Sequence, residues 1–407
     1  MTGDGTARML GGLLDAAHLA ALEDLPDLLT EHAALGGLHD ARLYVADLRQ
    51  VSLRELTGRG LDAGEGGQEY PIESSLPGRV FRYTRTLSGP EPVGERRVYW
   101  VPVLDGTERL AVLRVEAAAG SDAAIRHLAS LMGHLLVSKR PFSDSYARLV
   151  RRRPMNIAAE MQWKLTPPLT HANRHVVIAA AMEPAYDIAG DAFDYAVAGD
   201  TVHLAIFDAM GHDTAAGLTA NLAVASCRAE RRQGADLATI SDRIEQVMLQ
   251  EFGIQRYVTG ILADLDAATG SLTWVNRGHH PPVLIRDGRW TTTLRCRPAH
   301  PMGTRLGLGV TVCTEQLQPG DRLLLYTDGI TEARDLRGRE FGLAQFTDFI
   351  IRHHADGLPV PETLRRLMQA VLDHHHGRLS DDATVLFLEW HGPARNAQLV
   401  STTQIDR

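Results

Sequence analysis

The chain has 407 residues, of which 44% are hydrophobic and 23% are charged, a composition typical of globular proteins and not of disordered ones. At roughly 150 residues per domain, this length predicts about two or three domains. The formal net charge of −8 argues against a general nucleic-acid binder, but it is compatible with carboxylate clusters that bind metal.

The cysteine content and the hydropathy indicate a cytoplasmic protein. Cys227, Cys296 and Cys313 are too few and too far apart to predict a disulfide scaffold or a zinc site, which favours a reducing environment. No apolar run approaches the roughly 20 residues needed to cross a bilayer. The first ten residues lack the basic and apolar regions of a signal peptide. We therefore expect no membrane span.

The first part of the chain, residues 1–140, predicts a small α+β domain. A leucine-rich helical segment opens it, and a glycine-rich stretch separates its central strands. The predicted strands are residues 42–48, 51–56, 98–103 and 109–116, and a helix follows at about 121–138. This order of elements loosely resembles a GAF-type sensor fold, which implies a small-molecule or protein signal. The alternative is a dimerisation domain without a ligand.

The helix at about 121–138 carries an apolar stripe that predicts one of two contacts. Ile125, Leu128, Met132 and Leu135 recur at a spacing typical of coiled coils, so the helix could pair with a second copy of the chain in a homodimer. Alternatively, the stripe packs on its own sheet. Residues 141–170 are predicted to be a helical linker.

Residues 171–391 predict a second α+β domain, followed by a tail at 392–407. Its strand-like runs do not alternate regularly with helices, as a doubly wound parallel sheet would require. They favour antiparallel sheets with amphipathic helices packed outside. The predicted strands are residues 175–182, 202–208, 257–265, 272–276, 322–328 and 384–390.

Aspartates stand next to apolar strands at four places in this second domain. They occur in GDAFD (Asp191 and Asp194), IFDAMGHD (Asp208), LLLYTDGITEA (Asp328) and LSDDATVLFLEW (Asp381 and Asp382). Each aspartate alone is equally compatible with a turn or a cap. Together, carboxylates at strand ends can meet at one sheet edge and form an oxygen-rich site suited to magnesium or manganese.

These segments, with NRGHHPPVL and the upstream AAEMQWKLTPP, resemble the SpoIIE/RsbU-type branch of the metal-dependent PPM (type 2C) serine/threonine phosphatases. The resemblance covers about residues 155–391. It implies an α-β-β-α sandwich that holds two Mn²⁺ or Mg²⁺ ions. The metal-ligand positions that it implies here are Asp191, Asp208, Asp328, Asp381 and the backbone carbonyl of Ala209.

The chain departs from the usual family pattern at two loops. Ala189-Gly190 stands where the family usually has two glycines. Gly211-His212-Asp213 adds a carboxylate close to the expected metals. His212 is a candidate general acid for the leaving serine oxygen, but we favour the alternative of a histidine that packs within the loop or lies away from the metals.

The other histidines receive no catalytic role. His279-His280 lies in a segment that resembles a structural loop of the family. His353-His354 and the run 374–376 fall at the ends of predicted helices, where histidines commonly cap or face solvent. A zinc site there is the alternative.

The sequence thus predicts a phosphoprotein serine/threonine phosphatase regulated by its N-terminal domain. Two cations would reverse the local negative charge and activate water, so no protein nucleophile is required. The resemblance implies that the substrate is a phosphorylated anti-sigma-factor antagonist. The alternative is a non-catalytic regulatory module that uses the same fold to bind partners.

Overall fold

The computed structural model describes residues 2–93, 96–187, 190–355, 357–376, 379 and 381–393. The described chain forms two compact units that divide after Pro154. The division falls inside the predicted linker, whose two helices belong to different units. No helix of the described residues has the length and apolar character needed to span a membrane.

The first unit contains one antiparallel sheet and its helices. Its strands are β1 (His39–Ala46), β2 (Ser52–Leu56), β3 (Glu69–Pro71), β4 (Leu87–Val93), β5 (Arg96–Asp105) and β6 (Glu108–Ala117). They lie in the order β3-β2-β1-β6-β5-β4. The helices are α1 (Thr2–Ala17), α2 (Leu25–Leu35), α3 (Leu76–Tyr83), α4 (Asp122–Lys139) and α5 (Asp144–Val150), with a 3₁₀ turn at Arg140–Phe142.

The alternation of side chains along β1 places apolar residues on both faces of this sheet. Leu43 and Val45 belong to the core that contains the buried faces of α1, α2 and α4. Tyr44 belongs to a second cluster, with Phe81 of α3 and Trp100 of β5. The assignment of this unit as GAF-like stays a prediction.

The apolar stripe of α4 packs inside its own unit, which corrects the expectation that it pairs two chains. Ile125, Leu128 and Met132 are fully buried and Leu135 is 7% exposed, all within the core that includes the sheet. A coiled-coil spacing over about three turns is also the spacing of any helix face that packs on a sheet. The stripe is therefore not available for a second copy.

The second unit contains two antiparallel sheets with helices outside them. Its strands are β7 (Thr170–Ala172), β8 (Val176–Glu183), β9 (Asp191–Ala198), β10 (Thr201–Ala209), β11 (Val258–Asp266), β12 (Ser271–Arg277), β13 (Val283–Arg286), β14 (Trp290–Thr293), β15 (Cys313–Gln316), β16 (Arg322–Tyr326) and β17 (Ala383–Trp390). The sheet orders are β15-β12-β11-β10-β9 and β14-β13-β16-β17-β8-β7. The helices are α6 (Ile157–Leu165), α7 (Thr214–Arg232), α8 (Leu237–Phe252), α9 (Asp328–Thr331), α10 (Gly342–Ala355) and α11 (Val360–His374).

Three buried clusters define the layers of this unit. Alternate residues of both sheets, such as Ile206 and Leu325, meet in a core between the sheets. The opposite face of β10, with Phe207, packs against α7 and α8, and the opposite face of β17, with Val385, packs against α10 and α11. The predicted α-β-β-α sandwich is confirmed.

Two of the three cysteines form a disulfide that the sequence did not predict. Cys296 and Cys313 are bonded across 17 residues of sequence, and Cys313 opens β15, the edge strand beside β12. Cys227 is free and buried. The sequence spacing of two cysteines does not show whether their side chains lie close together in space. That depends on the order of the strands in the sheet.

Candidate metal centre

The first two predicted aspartates face each other on neighbouring strands. Asp191 begins β9 and Asp208 lies one residue before the end of β10, and the antiparallel register places them opposite each other. Asp191 is almost completely buried, with 2% of its surface exposed. One end of this sheet thus carries two carboxylates.

The other two predicted aspartates come from the facing sheet. Asp328 follows β16 and begins α9, and Asp381 lies two residues before β17, the neighbour of β16. Gly329 allows the close approach of these two segments, because a Cβ atom on it would lie 1.9 Å from the backbone oxygen of Asp382. The Asp-Gly pair is therefore required for packing and is more than a turn signal.

Hydrogen bonds tie the two sheet ends together. The Thr327 hydroxyl donates to Asp191 Oδ2 at 2.6 Å and accepts from the backbone N–H of Thr384 at 2.9 Å. The carboxylate of Asp382 accepts from the backbone N–H of Gly190 at 2.7 Å. These contacts hold Asp191 at the junction of the sheets.

Burial and nearby like charges disfavour the charged form of all four aspartates. Burial, followed by the charges of Asp328, Asp381 and Asp382, raises the pKa of Asp208 to about 7. Burial, then Asp208 and Asp382, raises the pKa of Asp191 well above its ordinary value. Burial is also the main cause of the raised pKa of Asp328 and of Asp381.

The donor set fits hard divalent cations. Buried like charges are stabilised when a cation neutralises them, and carboxylate and carbonyl oxygens are the ligands that magnesium and manganese prefer. Ala209 ends β10 in the same region, where its N–H donates to the Gly190 carbonyl at 2.9 Å. The residues present are therefore suited to the expected ions.

Gly190 occupies a position where a side chain does not fit. A Cβ atom there would lie 2.7 Å from the carbonyl oxygen of Ala209 and 2.8 Å from that of Gly211. The second glycine position of the family pattern is thus filled by the residue that the packing requires. Ala189, the other half of that departure, lies outside the described residues.

Asp213 has a structural role that the sequence did not reveal. It is the N-cap of α7, accepting from the Ala216 N–H at 2.8 Å, and it pairs with Arg256 at 3.1 Å. These contacts lower the pKa of the Asp213 carboxyl. The extra carboxylate therefore stabilises the start of a helix.

His212 is exposed and close enough to Asp381 for its charge to favour the ionised carboxylate there. Asp194, by contrast, is separate from the four aspartates. It is 1% exposed and pairs with Arg228 and Arg231 of α7 at 2.6 and 2.7 Å. Only the first aspartate of GDAFD joins the cluster.

Two further polar residues at this site, Gln162 and Thr327, were missed by the sequence analysis. Gln162 is 1% exposed, and its side-chain amide donates to the backbone carbonyl of Asp191. Asp382 was visible as the second residue of the Asp-Asp pair. Nothing local distinguished Gln162 or Thr327 from ordinary polar residues, because their partners are distant in sequence.

The two histidines of NRGHHPPVL have different surroundings. His279 is buried between the Thr259 hydroxyl at 2.8 Å and the Tyr326 carbonyl at 3.0 Å, and burial lowers its pKa to about 3. This neutral, structural role fits the expectation. His280, which was given no chemistry, places a ring nitrogen within 4.8 Å of the carboxylates of Asp328 and Glu332.

Within the described part of the chain, the group of potential metal ligands whose donor atoms all lie within 4.8 Å of one another consists of His280, Asp328 and Glu332. The four predicted aspartates are spread more widely. His353 stacks on Phe349 and His374 packs edge-on against Phe341, so both contact aromatic rings at their helices. The side chain of His354 lies outside the described residues.

Comparison with known proteins gives the same assignment as the geometry. The family of Stage II sporulation protein E (SpoIIE) matches residues 198–391. Residues 198–391 of this chain are therefore similar to that family. The resemblance to the SpoIIE/RsbU branch of the PPM phosphatases is thereby confirmed, whereas the GAF-like assignment of the first unit is not.

The individual proteins that this chain resembles are only distantly similar to it. Phosphoserine phosphatase RsbP of Bacillus subtilis is 25% identical over 191 residues, which are 46% of this chain and 47% of RsbP. Phosphoserine phosphatase RsbU of the same species is 21% identical over 236 residues, 58% of this chain and 69% of RsbU. The chain therefore matches about half the length of RsbP. Among solved structures, the RsbU and RsbW domains of Rv1364c from Mycobacterium tuberculosis have 25% identity and a TM-score of 0.48, covering 54% of this chain and 63% of that one.

Proposed function

We propose that the chain is a metal-dependent phosphoprotein serine/threonine phosphatase. The observation that carries the proposal is the meeting of Asp191, Asp208, Asp328 and Asp381 at adjoining sheet ends, with raised pKa values. Perturbed carboxylates in such a cluster are typical of functional sites and costly for stability alone. The SpoIIE-family match supports the same reaction class.

The four aspartates and the carbonyl of Ala209 would hold two Mn²⁺ or Mg²⁺ ions. When bound, these ions supply the positive charge that attracts a phosphomonoester dianion and activates water. Thr327 and Asp382 position Asp191 through their hydrogen bonds to it and to Gly190.

We propose His212 as the group that protonates the leaving serine oxygen. It is exposed, so an incoming substrate can reach it, and it acts electrostatically on Asp381. Imidazole can donate a proton near neutral pH. We also assign a catalytic contribution to Asp208 and Asp328, because their negative charges would hold the cations at the site.

The substrate in this proposal is a phosphorylated anti-sigma-factor antagonist. The support is the similarity to proteins named phosphoserine phosphatases and the resemblance to their branch of the family. Regulation by the N-terminal unit and a cytoplasmic location belong to the same proposal. The alternative is a non-catalytic module with the same fold. Asp213, the extra carboxylate near the site, forms a helix cap and an ion pair, so it gives that alternative no support.

Release of phosphate from a phosphoserine protein, measured with manganese, with magnesium and with chelator, tests the proposal. We expect activity only with metal. Asp208→Asn or Asp328→Asn should lower kcat/KM by at least about 100-fold, because even the loss of partners that orient metal ligands costs about 10- to 100-fold. Asp348→Asn is the matched control, since Asp348 is an exposed aspartate paired with Arg352 on α10. Full activity in chelator, or wild-type turnover in both site variants, would contradict the proposal.

A further inference from the structure

A cavity of about 360 Å³ adjoins the metal centre. Asp328 and Asp381 form part of its wall, and Glu332, Arg334 and His375 are among its other lining residues. This volume falls within the roughly 300–1,000 Å³ of pockets that bind small molecules. It therefore has room for more than a phosphoserine side chain.

Arg334 is held in an ordered loop at the edge of this cavity. It forms an antiparallel bridge with Glu340, and between them the Asp335 N–H donates to the Arg339 carbonyl at 3.0 Å. The Asp335 carboxylate accepts from the backbone N–H groups of Arg337 and Arg339 at 2.8 and 2.9 Å. The backbone of Arg334 is thus fixed at the cavity wall.

The loop is also attached to the helix that supplies His375. A ring nitrogen of His374, at the end of α11, lies 3.0 Å from the Arg339 carbonyl oxygen, and the His374 ring packs on Phe341. His375 follows directly and lines the cavity. Two parts of the wall are therefore joined by contacts that do not depend on a ligand.

Arg334 gives the cavity wall a positive charge that an anionic group can contact once the acidic residues of the wall are neutralised. Arg334 is the arginine among the described residues that line the cavity, and 57% of its side chain remains exposed. Glu340 bonds to one terminal nitrogen of Arg334, which leaves other guanidinium N–H groups free to donate. Bound cations would offset the charges of Asp328 and Asp381. Glu332, the third acidic residue of the wall, has its carboxylate within 4.8 Å of a ring nitrogen of His280.

We propose that this cavity receives a side chain adjacent to the phosphoserine of the substrate protein, and that Arg334 makes it selective for aspartate or glutamate there. This inference rests on the proposed function and adds a specificity-determining residue to it. Arg337 is the matched control, because it is exposed on the same loop but does not line the cavity.

The experiment compares three phosphoserine peptides that differ only in carrying Glu, Ala or Lys beside the phosphoserine. We expect the full chain with manganese to prefer the Glu peptide to the Ala peptide by about fivefold in kcat/KM, through KM, which is the upper range for an exposed ion pair. Arg334→Gln should abolish this preference, and Arg334→Glu should transfer it to the Lys peptide. Arg337→Gln should retain it.

A second measurement separates recognition from catalysis. Phosphonate versions of the peptides cannot be hydrolysed, and their affinities with manganese are measured by fluorescence anisotropy. The phosphonate peptides could show an Arg334-dependent binding preference while the phosphoserine peptides release no phosphate. That result would support this inference and refute the proposed function. The inference would be overturned if the wild type showed no preference or if the preference survived Arg334→Gln. It would also be overturned if Arg334→Gln weakened recognition of all three peptides equally.

Discussion

At the scale of single residues, close backbone approaches shape the metal centre as much as the carboxylates do. Gly329 and Gly190 lie where a Cβ atom would meet backbone oxygens at 1.9 Å and 2.7 Å. Both distances are too short for any side chain, and backbone cannot move away as easily as the end of a flexible side chain. The glycines are therefore part of the site although they bring no functional group.

Gly329→Ala should separate Asp328 from Asp381 and weaken metal binding. Overpacking of this kind costs about 1–3 kcal/mol, so we expect a lower melting temperature together with a higher apparent manganese requirement. Gly309→Ala is the control, since a Cβ atom at Gly309 meets nothing within 4 Å. Equal effects of the two substitutions on manganese titrations of activity would refute this explanation.

The raised pKa of Asp208, about 7, predicts that metal binding depends on pH. Because the folded-state pKa lies above the unfolded value, Asp208 stabilises the metal-free fold at low pH, and this contribution falls as pH rises from about 4 through 7. A bound cation must displace the proton below pH 7. Apparent manganese affinity should therefore rise by up to about tenfold per pH unit below 7 and level off above it. Thermal-shift titrations with manganese from pH 6 to 8.5 measure this, and an unchanged slope in Asp208→Asn would show that another group titrates.

At the scale of elements, the disulfide joins an irregular segment to an edge strand. Cys313 opens β15, and Cys296 lies in the long connection between β14 and β15. That connection contacts the sheet where the backbone of Met302 pairs with Val258 of β11. The covalent link therefore limits the freedom of a loop that is attached near the end of β10.

Reduction of this disulfide should destabilise the second unit by up to about 3 kcal/mol, the loop-entropy value for a closed loop of roughly 15 residues. Urea denaturation with and without reductant measures the change. The double variant Cys296→Ser/Cys313→Ser should behave like the reduced chain and respond no further to reductant. A double variant as stable as the oxidised protein would show that the bond is not formed or contributes nothing.

At the scale of the whole molecule, each unit has buried clusters of its own. The clusters of the second unit draw on residues from Ala159 to Trp390, and every aspartate of the metal centre lies in that range. An attached unit can control such a site by shifting an equilibrium between competent and incompetent geometries. We expect α7 to be the moving element, because it begins at the loop that carries His212 and Asp213.

The segment from about 155 to 391 should fold alone and bind manganese. If the first unit acts through the metal centre, removal of residues 1–154 should change the apparent manganese affinity together with the rate. Manganese titrations of phosphatase activity for the full and truncated chains provide the comparison. Coincident curves would mean that the first unit serves recruitment or assembly instead.

The sequence by itself predicted antiparallel sheets with helices outside them in the second unit, and it located the four aspartates of the candidate metal centre beside apolar strands. Strand alternation and helix periodicity are local properties, so the apolar faces of β10 and α7 could be predicted before their partners were known. An aspartate beside an apolar strand is equally local, because it stands where the chain leaves the core.

Only the tertiary structure decided which surfaces and residues meet. The stripe of α4 satisfied both a coiled coil and a sheet contact, and its burial on its own sheet required the complete unit. Thr327, Gln162 and His280 acquire their roles from partners 29 to 136 positions away in sequence or from the facing sheet. Periodicity identifies which face of an element is buried, but it does not specify the partner, since any apolar surface of suitable shape satisfies the hydrophobic effect.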